Sequence, residues 1–396
     1  MSKQPLRPKI LYGIVALLVS LLIALLAWVL VAGPQTVFRV LRYGDTQIDD
    51  YLYYPSRRIA ASSSPYHLVD LASEDLVPHS VVLRDGSSHD LVPLLAENES
   101  IAFLVVKGDA LLFEQYFQGH SADAISQTFS VSKSFTSALI GAAIGDGLIR
   151  DVDQWVTDFV PELAESGFGA VNLRHLLTMT SGSDYVENDN PFGIHVILNY
   201  TPKLEKEILG FQIQDEPGTV HRYKSGDNAL LALILSRALA PGTIADYTRE
   251  KLWEPLGMES DGLWSLDHDD GLEKSWCCLA ASARDLAKFG MLYLNDGQWQ
   301  GVQILHEGWV EKSTQAAIPE NLWDEDFANI GVSNYGYQWW LASADQGDYF
   351  ALGKDGQYIY VNPAFETVIV RLGSSQGDLP LSAWLSLFQF ISAEID

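Results

Sequence analysis

The stretch that most constrains this chain is Thr128–Gly147, TFSVSKSFTSALIGAAIGDG. Phe135, Ala138, Leu139, Ala142, Ala143 and Ile144 leave almost no polar face, which predicts a helix buried on every side. Such a helix must lie at the centre of a domain, with other layers packed around it. Asp146-Gly147 ends it, Gly147 being suited to the left-handed conformation that closes a helix. Its start is polar. Ser130 and Lys133 are spaced to lie on one helix face, one turn apart. A serine hydroxyl is a poor nucleophile until a base takes its proton, and lysine is such a base only when desolvation or a nearby cation lowers its pKa. The apolar residues that follow supply the desolvation, and a helix's first turn favours developing negative charge. Ser130 as a plain helix cap and Lys133 as a solvated side chain would explain the same residues. Companions elsewhere in the chain must decide.

A longer apolar run lies at the amino terminus. Ile10–Ala32 carries no charge and is long enough to span a bilayer, which takes about 20 residues. Lys3, Arg7 and Lys9 precede it without an acid. A cleaved signal peptide has a shorter apolar core and a small-x-small cleavage site; Val31-Ala32-Gly33 is a poor one, since Pro34 would follow the cut. The expectation is an uncleaved anchor in the inner membrane. Its basic end is held in the cytoplasm, and everything after residue 33 lies outside, in the periplasm. The net charge of −26 argues against nucleic acid and against binding to anionic lipid surfaces. Cys277 and Cys278 are adjacent, which is neither a disulfide framework nor zinc-site spacing; they read as packing residues, with a vicinal disulfide the lesser alternative. His175, His195, His221 and His306 show no metal spacing and read as structural or surface residues, and neither metal nor cofactor is expected.

The rest of the chain divides by pattern. Residues 1–9 are the cytoplasmic n-region, 10–32 the anchor, 33–94 a juxtamembrane spacer packing partly on the main domain, and 95–396 that domain. Ile101–Val106 and Leu111–Phe117, joined by Lys107-Gly-Asp-Ala, predict a β-hairpin. Residues 228–240 and 282–295 predict amphipathic helices. Tyr337–Trp340, Tyr349–Leu352, Tyr358–Val361 and Thr367–Leu372 predict short strands, and Ala383–Ile395 a closing helix. Strands at both ends with helices between imply an antiparallel sheet with a mostly helical insertion, roughly 150–280. A site is expected in the cleft between the two parts.

Two further stretches are candidate companions of Ser130. Pro217-Gly-Thr-Val-His-Arg-Tyr223-Lys-Ser225 leads from a turn into a leucine-rich helix. Tyr223, beside two lysines, is expected to have a lowered phenol pKa and to shuttle protons. Leu352-Gly-Lys354-Asp-Gly356-Gln357 joins two strands; Gly356 allows close backbone approach, and an N–H there suits an oxyanion. Each alone fits a packed tyrosine or an ordinary turn.

In this order, Ser-x-x-Lys, Tyr-x-Ser and Lys-x-Gly resemble the motifs of the penicillin-recognising serine hydrolases, which include class C β-lactamases, D-Ala-D-Ala carboxypeptidases and related esterases and amidases. Leu176-Leu-Thr-Met-Thr-Ser-Gly182, Pro217-Gly-Thr219 and Ala283-Arg-Asp-Leu-Ala287 are similar to phrases of the class C-like branch. Gly356-Gln-Tyr-Ile-Tyr-Val-Asn-Pro363 looks like its 6-aminohexanoate-dimer hydrolase subgroup. The resemblance covers about residues 95–395 and implies an α+β, β-lactamase-like fold: an antiparallel sheet flanked by N- and C-terminal helices, with an inserted helical subdomain, here preceded by one transmembrane helix. It implies acyl transfer through Ser130, with Lys133 and Tyr223 sharing a proton network and the Ser130 and Gln357 amides forming the oxyanion hole. Ser225, Lys354 and Gly356 belong to the second and third motifs, Lys354 polarising the network or binding a substrate carboxylate. Tyr185 and Trp340 are expected as pocket walls. Ser225 replaces the family's usual amide, which weakens a β-lactamase reading, and Asp355 replaces a hydroxyl residue. The expected substrate is a small ester, amide or peptide-like molecule. A D-Ala-D-Ala peptidase or β-lactamase, or a non-catalytic anchored sensor, is the alternative.

Overall fold

The computed structural model describes residues 8–324, 327, 329–343 and 347–395. The principal strands are β1 (Ser56–Ile59), β2 (Val69–Asp70), β3 (Ser100–Lys107), β4 (Ala110–Tyr116), β5 (Ile125–Gln127), β6 (Gly262–Ser265), β7 (Leu279–Ser282), β8 (Asn334–Tyr335), β9 (Trp340–Leu341), β10 (Tyr349–Gly353), β11 (Gln357–Asn362) and β12 (Thr367–Gly373). The principal helices are α1 (Pro8–Ala32), α2 (Pro34–Tyr43), α3 (Ser132–Gly145), α4 (Ile194–Tyr200), α5 (Ser225–Leu239), α6 (Ala283–Leu294) and α7 (Leu381–Glu394).

Eight strands form the main sheet in the order β8-β9-β10-β11-β12-β3-β4-β2. Both faces are covered, so β3 and β12 are apolar almost without interruption. Alternate residues still choose sides. Phe103, Val105, Tyr358, Tyr360 and Ile369 pack with Trp384, Leu387, Phe388 and Ile391 of α7. Leu104, Val106, Ile359, Val368 and Val370 pack with Leu286 and Phe289 of α6 and with Phe135 and Leu139 of α3. The Phe135 and Phe289 rings stack with centroids 3.7 Å apart, joining α3 to α6. Ser282 starts α6 by accepting the Asp285 N–H, a side-chain cap at the boundary the sequence predicts. The sheet departs from the expected antiparallel pattern at one edge, where β2 runs parallel to β4.

The expected helix from Thr128 begins as a tight 3₁₀ turn, Phe129–Val131, and becomes α-helical only at Ser132. Beside that turn lies a second sheet, ordered β1-β6-β7-β5. Its β1 comes from the stretch 33–94, expected as a spacer. Ser56–Ile59 pairs residue by residue with Ser265–Gly262. That stretch is therefore built into the fold, and its later residues Val77, Val81, Leu83 and Leu91 pack with the sheet face that α7 covers.

α1 includes an apolar segment, Tyr12–Ala32, long enough to cross a membrane, and none of it is buried inside the fold apart from its end. There Ala32, with Trp28 and Val29, packs with Val37 of α2 and Ile197 of α4. The first seven residues of the expected n-region lie outside the described residues.

Candidate active site

The turn carrying Ser130 is fixed by hydroxyls on its flanks. Thr128 donates through both N–H (2.9 Å) and Oγ1 (2.8 Å) to the Leu279 carbonyl, and the Leu279 N–H donates to Ser132 Oγ at 3.1 Å. Phe129, just before the serine, has φ +47, a left-handed conformation that is unfavourable for a side chain of this size. Gly353, at the end of β10, closes against the same turn. A Cβ there would lie 2.3 Å from the Thr128 carbonyl oxygen.

Lys133 lies one turn on, and its Nζ donates to Ser130 Oγ at 2.8 Å and to the Trp276 carbonyl at 2.8 Å. The residue is 1 % exposed. Burial lowers its pKa to about 8, against an opposing pull from the Glu187 carboxylate. The helical spacing thus brings the serine and the lysine together as the sequence predicts.

Tyr223 also reaches the site, and its hydroxyl interacts with Ser130. Lys133 Nζ lies over its ring, 4.9 Å from the centroid. Its expected lowered pKa is corrected: burial, reinforced by Glu187, pushes the phenol well above its ordinary value. The second lysine, Lys224, turns away to the Ser183 carbonyl. Buried and with a carboxylate nearby, Tyr223 stays a neutral phenol, and Lys133 is the group whose proton is loosely held.

A cavity of about 290 Å³ opens beside Ser130. Phe129, Ser130, Glu187, His195, Ser225, Lys274, Trp276 and Lys354 line it, together with residues of the N-terminal stretch. Ser225 donates to Glu187 through its N–H and its Oγ, both at 2.7 Å. A carboxylate therefore sits on the first turn of α5, where the helix dipole favours it. Lys354 lines the cavity, but its ammonium donates to Asp45 Oδ1 at 2.6 Å and to the Thr46 carbonyl at 3.0 Å. It is engaged there with the N-terminal stretch.

Four other expected positions lie behind the cavity. Gly356 adopts φ +72 and leaves room for Arg371; a Cβ there would lie 1.7 Å from Arg371 Nη1, which donates to the Gly356 carbonyl at 2.7 Å. Trp340 stacks on Tyr223 at 5.4 Å and backs the phenol. Tyr185 is buried, its hydroxyl 2.6 Å from His195 Nδ1, so it orients that imidazole. Gln357 is fully buried, its amide bonded to the Lys354 and Gly373 carbonyls. Lys354, at the start of the three-residue turn Lys354–Gly356, lines the cavity.

Several site residues carried no signal in the sequence. Glu187 sits in a polar loop, and Lys274 and Asp50 in irregular chain. His195, read as structural or surface, lines the cavity and lies 3.4 Å from Glu187 Oε1. Cys277 and Cys278 also line it and are bonded to each other, so the lesser alternative holds. The aromatic and thiol cluster Trp276-Cys277-Cys278, in a polar context, was the one available hint. Among the described residues no group of three or more acids, histidines and cysteines is arranged to hold a metal.

Residues 92–385 match the family model described as Beta-lactamase. The 6-aminohexanoate-dimer hydrolase of Paenarthrobacter ureafaciens is 30 % identical over 297 residues, which covers 72 % of this chain and 75 % of that protein. Among solved structures, a Bacillus anthracis protein described as a candidate 6-aminohexanoate-dimer hydrolase superposes with TM-score 0.73 at 24 % identity, covering 90 % of this chain and 93 % of the other. EstCE1, a hydrolase with promiscuous acyltransferase activity, gives 0.60 at 15 % identity over 75 % and 96 %.

Proposed function

The chain belongs to the beta-lactamase family of serine hydrolases, and on that premise we propose that it cleaves an ester or amide bond through an acyl-serine intermediate on Ser130, at a membrane surface. The observation that carries this reading is the 2.8 Å contact between Ser130 Oγ and a buried Lys133 whose pKa is lowered to about 8. A lysine in that state is neutral often enough near neutral pH to act as a base.

In the first step Lys133 Nζ takes the Ser130 proton as Oγ bonds to the substrate carbonyl carbon. The oxyanion is held by the backbone N–H of Ser130 and by the turn that follows β10, where the Gln357 N–H is the expected second donor. Collapse breaks the bond to the leaving group, which takes the proton from Lys133. Water, deprotonated by Lys133, then attacks the acyl carbon and restores Ser130. Tyr223, a neutral phenol beside Ser130, steadies the charge in transit.

Two features leave little at the second and third motifs to hold a β-lactam's side-chain amide. Ser225 is spent on Glu187, and Lys354 on Asp45. The name of the 30 % identical relative supports linear amides. α1 is read as a retained anchor because its end packs on α2 and α4, and its Trp28 ring lies 5.1 Å from Phe192. The test is to compare a short-chain p-nitrophenyl ester with a chromogenic cephalosporin. Ester turnover at least about 100-fold the higher in kcat/KM is expected; the opposite order defeats the ester/amide assignment.

A further inference from the structure

Two anchors of the catalytic machinery are backbone groups of one short segment. The Trp276 carbonyl accepts from Lys133 Nζ at 2.8 Å. Leu279 holds the nucleophile turn: its carbonyl accepts from the Thr128 N–H and Oγ1, and its N–H donates to Ser132 Oγ. Only Cys277 and Cys278 lie between these two anchors, and a disulfide joins them. The far end of the segment is tied independently. The Ser265 N–H donates to the Cys278 carbonyl at 3.0 Å, and β7 begins at Leu279. At the near end the Trp276 indole donates to Asn199 Oδ1 at 2.9 Å. That bond fixes the side chain and leaves the direction of the Trp276 carbonyl to the backbone of Cys277.

The direction of that carbonyl decides what Lys133 can do. A neutral amine has two N–H donors and one lone pair. With one N–H committed to the Trp276 carbonyl, the lone pair can be turned onto Ser130 Oγ, 2.8 Å away. Without that acceptor the amine rotates about its terminal bond. A disulfide between neighbours closes a small ring and removes backbone freedom that two thiols would keep. Cys277 is half-buried and lines the cavity, so a reductant reaches the bond through the opening that admits substrate.

We propose that the Cys277–Cys278 disulfide is a positioning element for Lys133 and a redox switch on hydrolysis: oxidised, it holds the Trp276 carbonyl on the lysine, and reduction releases it. The proposal rests on the hydrolase reading above. Reduction puts an electron pair into the S–S bond and a proton on each sulfur, both supplied by a dithiol that closes to its own disulfide. Neither cysteine touches the reacting carbonyl.

The experiment uses the full chain in detergent micelles and a neutral p-nitrophenyl ester. A water-soluble trialkylphosphine replaces the dithiol, because thiols cleave such esters. It leaves as the phosphine oxide, with water supplying the oxygen and the two thiol protons. Once it is removed without air, intact mass should show the chain heavier by two hydrogens. The plateau of kcat/KM should then fall at least about tenfold, and the rising limb should move to lower pH, because the lost carbonyl acceptor favours the ammonium form. Reoxidation should restore both. Cys277→Ala combined with Cys278→Ala should behave as the reduced enzyme and ignore the phosphine. A reduced wild type with unchanged plateau and limb overturns the proposal whether or not the variant folds. So does a lowered plateau with an unmoved limb, which marks general loosening, and so do two free thiols in the active protein as purified. Fluorophosphonate labelling of Ser130 in the oxidised enzyme reports separately on the nucleophile, and its absence overturns the hydrolase reading itself.

Discussion

Lys133 is the residue on which the chemistry turns, and its burial sets two opposite effects. As the base it must be neutral, so kcat/KM for a neutral ester should rise with pH through about 8 and level off above. Glu187 pulls that pKa upward, so Glu187→Gln should move the rising limb to lower pH, which a pH–rate profile reads directly. Stability follows the same pKa. The unfolded chain holds the lysine proton up to about 10.4, and the folded chain releases it near 8, so between these values the unfolded state binds more protons and folding gains stability as pH rises. Below 8 the buried charge costs up to about 3 kcal/mol. Lys133→Met should therefore lower kcat/KM by about 10²–10⁴-fold while leaving the melting temperature at pH 7 unchanged or higher. A variant that loses activity by unfolding would melt lower. Ser130 and Lys133 were legible because helical spacing alone makes them neighbours. Tyr223 was legible as a position, but its charge state was not, because that is set by its burial in the fold, reinforced by Glu187 from a loop without periodicity.

Among the elements, the contact between β10 and the serine turn governs the geometry. Gly353 is required there by close approach to the Thr128 carbonyl, its own φ being ordinary. Gly353→Ala should push the strand away from Ser130, costing about 1–3 kcal/mol of stability and slowing active-serine labelling by more than tenfold. Calorimetry and labelling rates measure the two effects. Gly356, which the sequence marks more strongly, serves Arg371 instead. The strands and helices themselves were readable from their apolar periods: β3 with β4, β11, β12, α6 and α7 all fall where the pattern puts them. The stretch 33–94 was not readable, because β1 and β2 are too short to show alternation and owe their conformation to β6 and β4. Asp50 and the rest of the N-terminal cavity lining were hidden for the same reason.

At the scale of the whole molecule, the fold joins a hydrolase domain to a single apolar helix through packed contacts. Trp28 on Phe192 and Ala32 near Ile197 tie α1 to α4, the helix that brings His195 and Asn199 to the cavity. If α1 is an anchor, the protein should stay in the membrane pellet after alkaline carbonate and leave it only in detergent, and its amino-terminal sequence should begin before residue 32. Release by carbonate would mark a peripheral or cleaved form. The β-lactamase-like architecture was legible from motif order and from strands enclosing helices, whereas the cavity lining came from six separate parts of the chain that only folding brings together. The central claim is that Ser130 is the nucleophile. Its most direct test is intact-mass analysis after a fluorophosphonate probe, wild type beside Ser130→Ala. The account predicts one adduct on the wild type and none on the variant; an unmodified wild type, or an adduct that persists on Ser130→Ala, contradicts it.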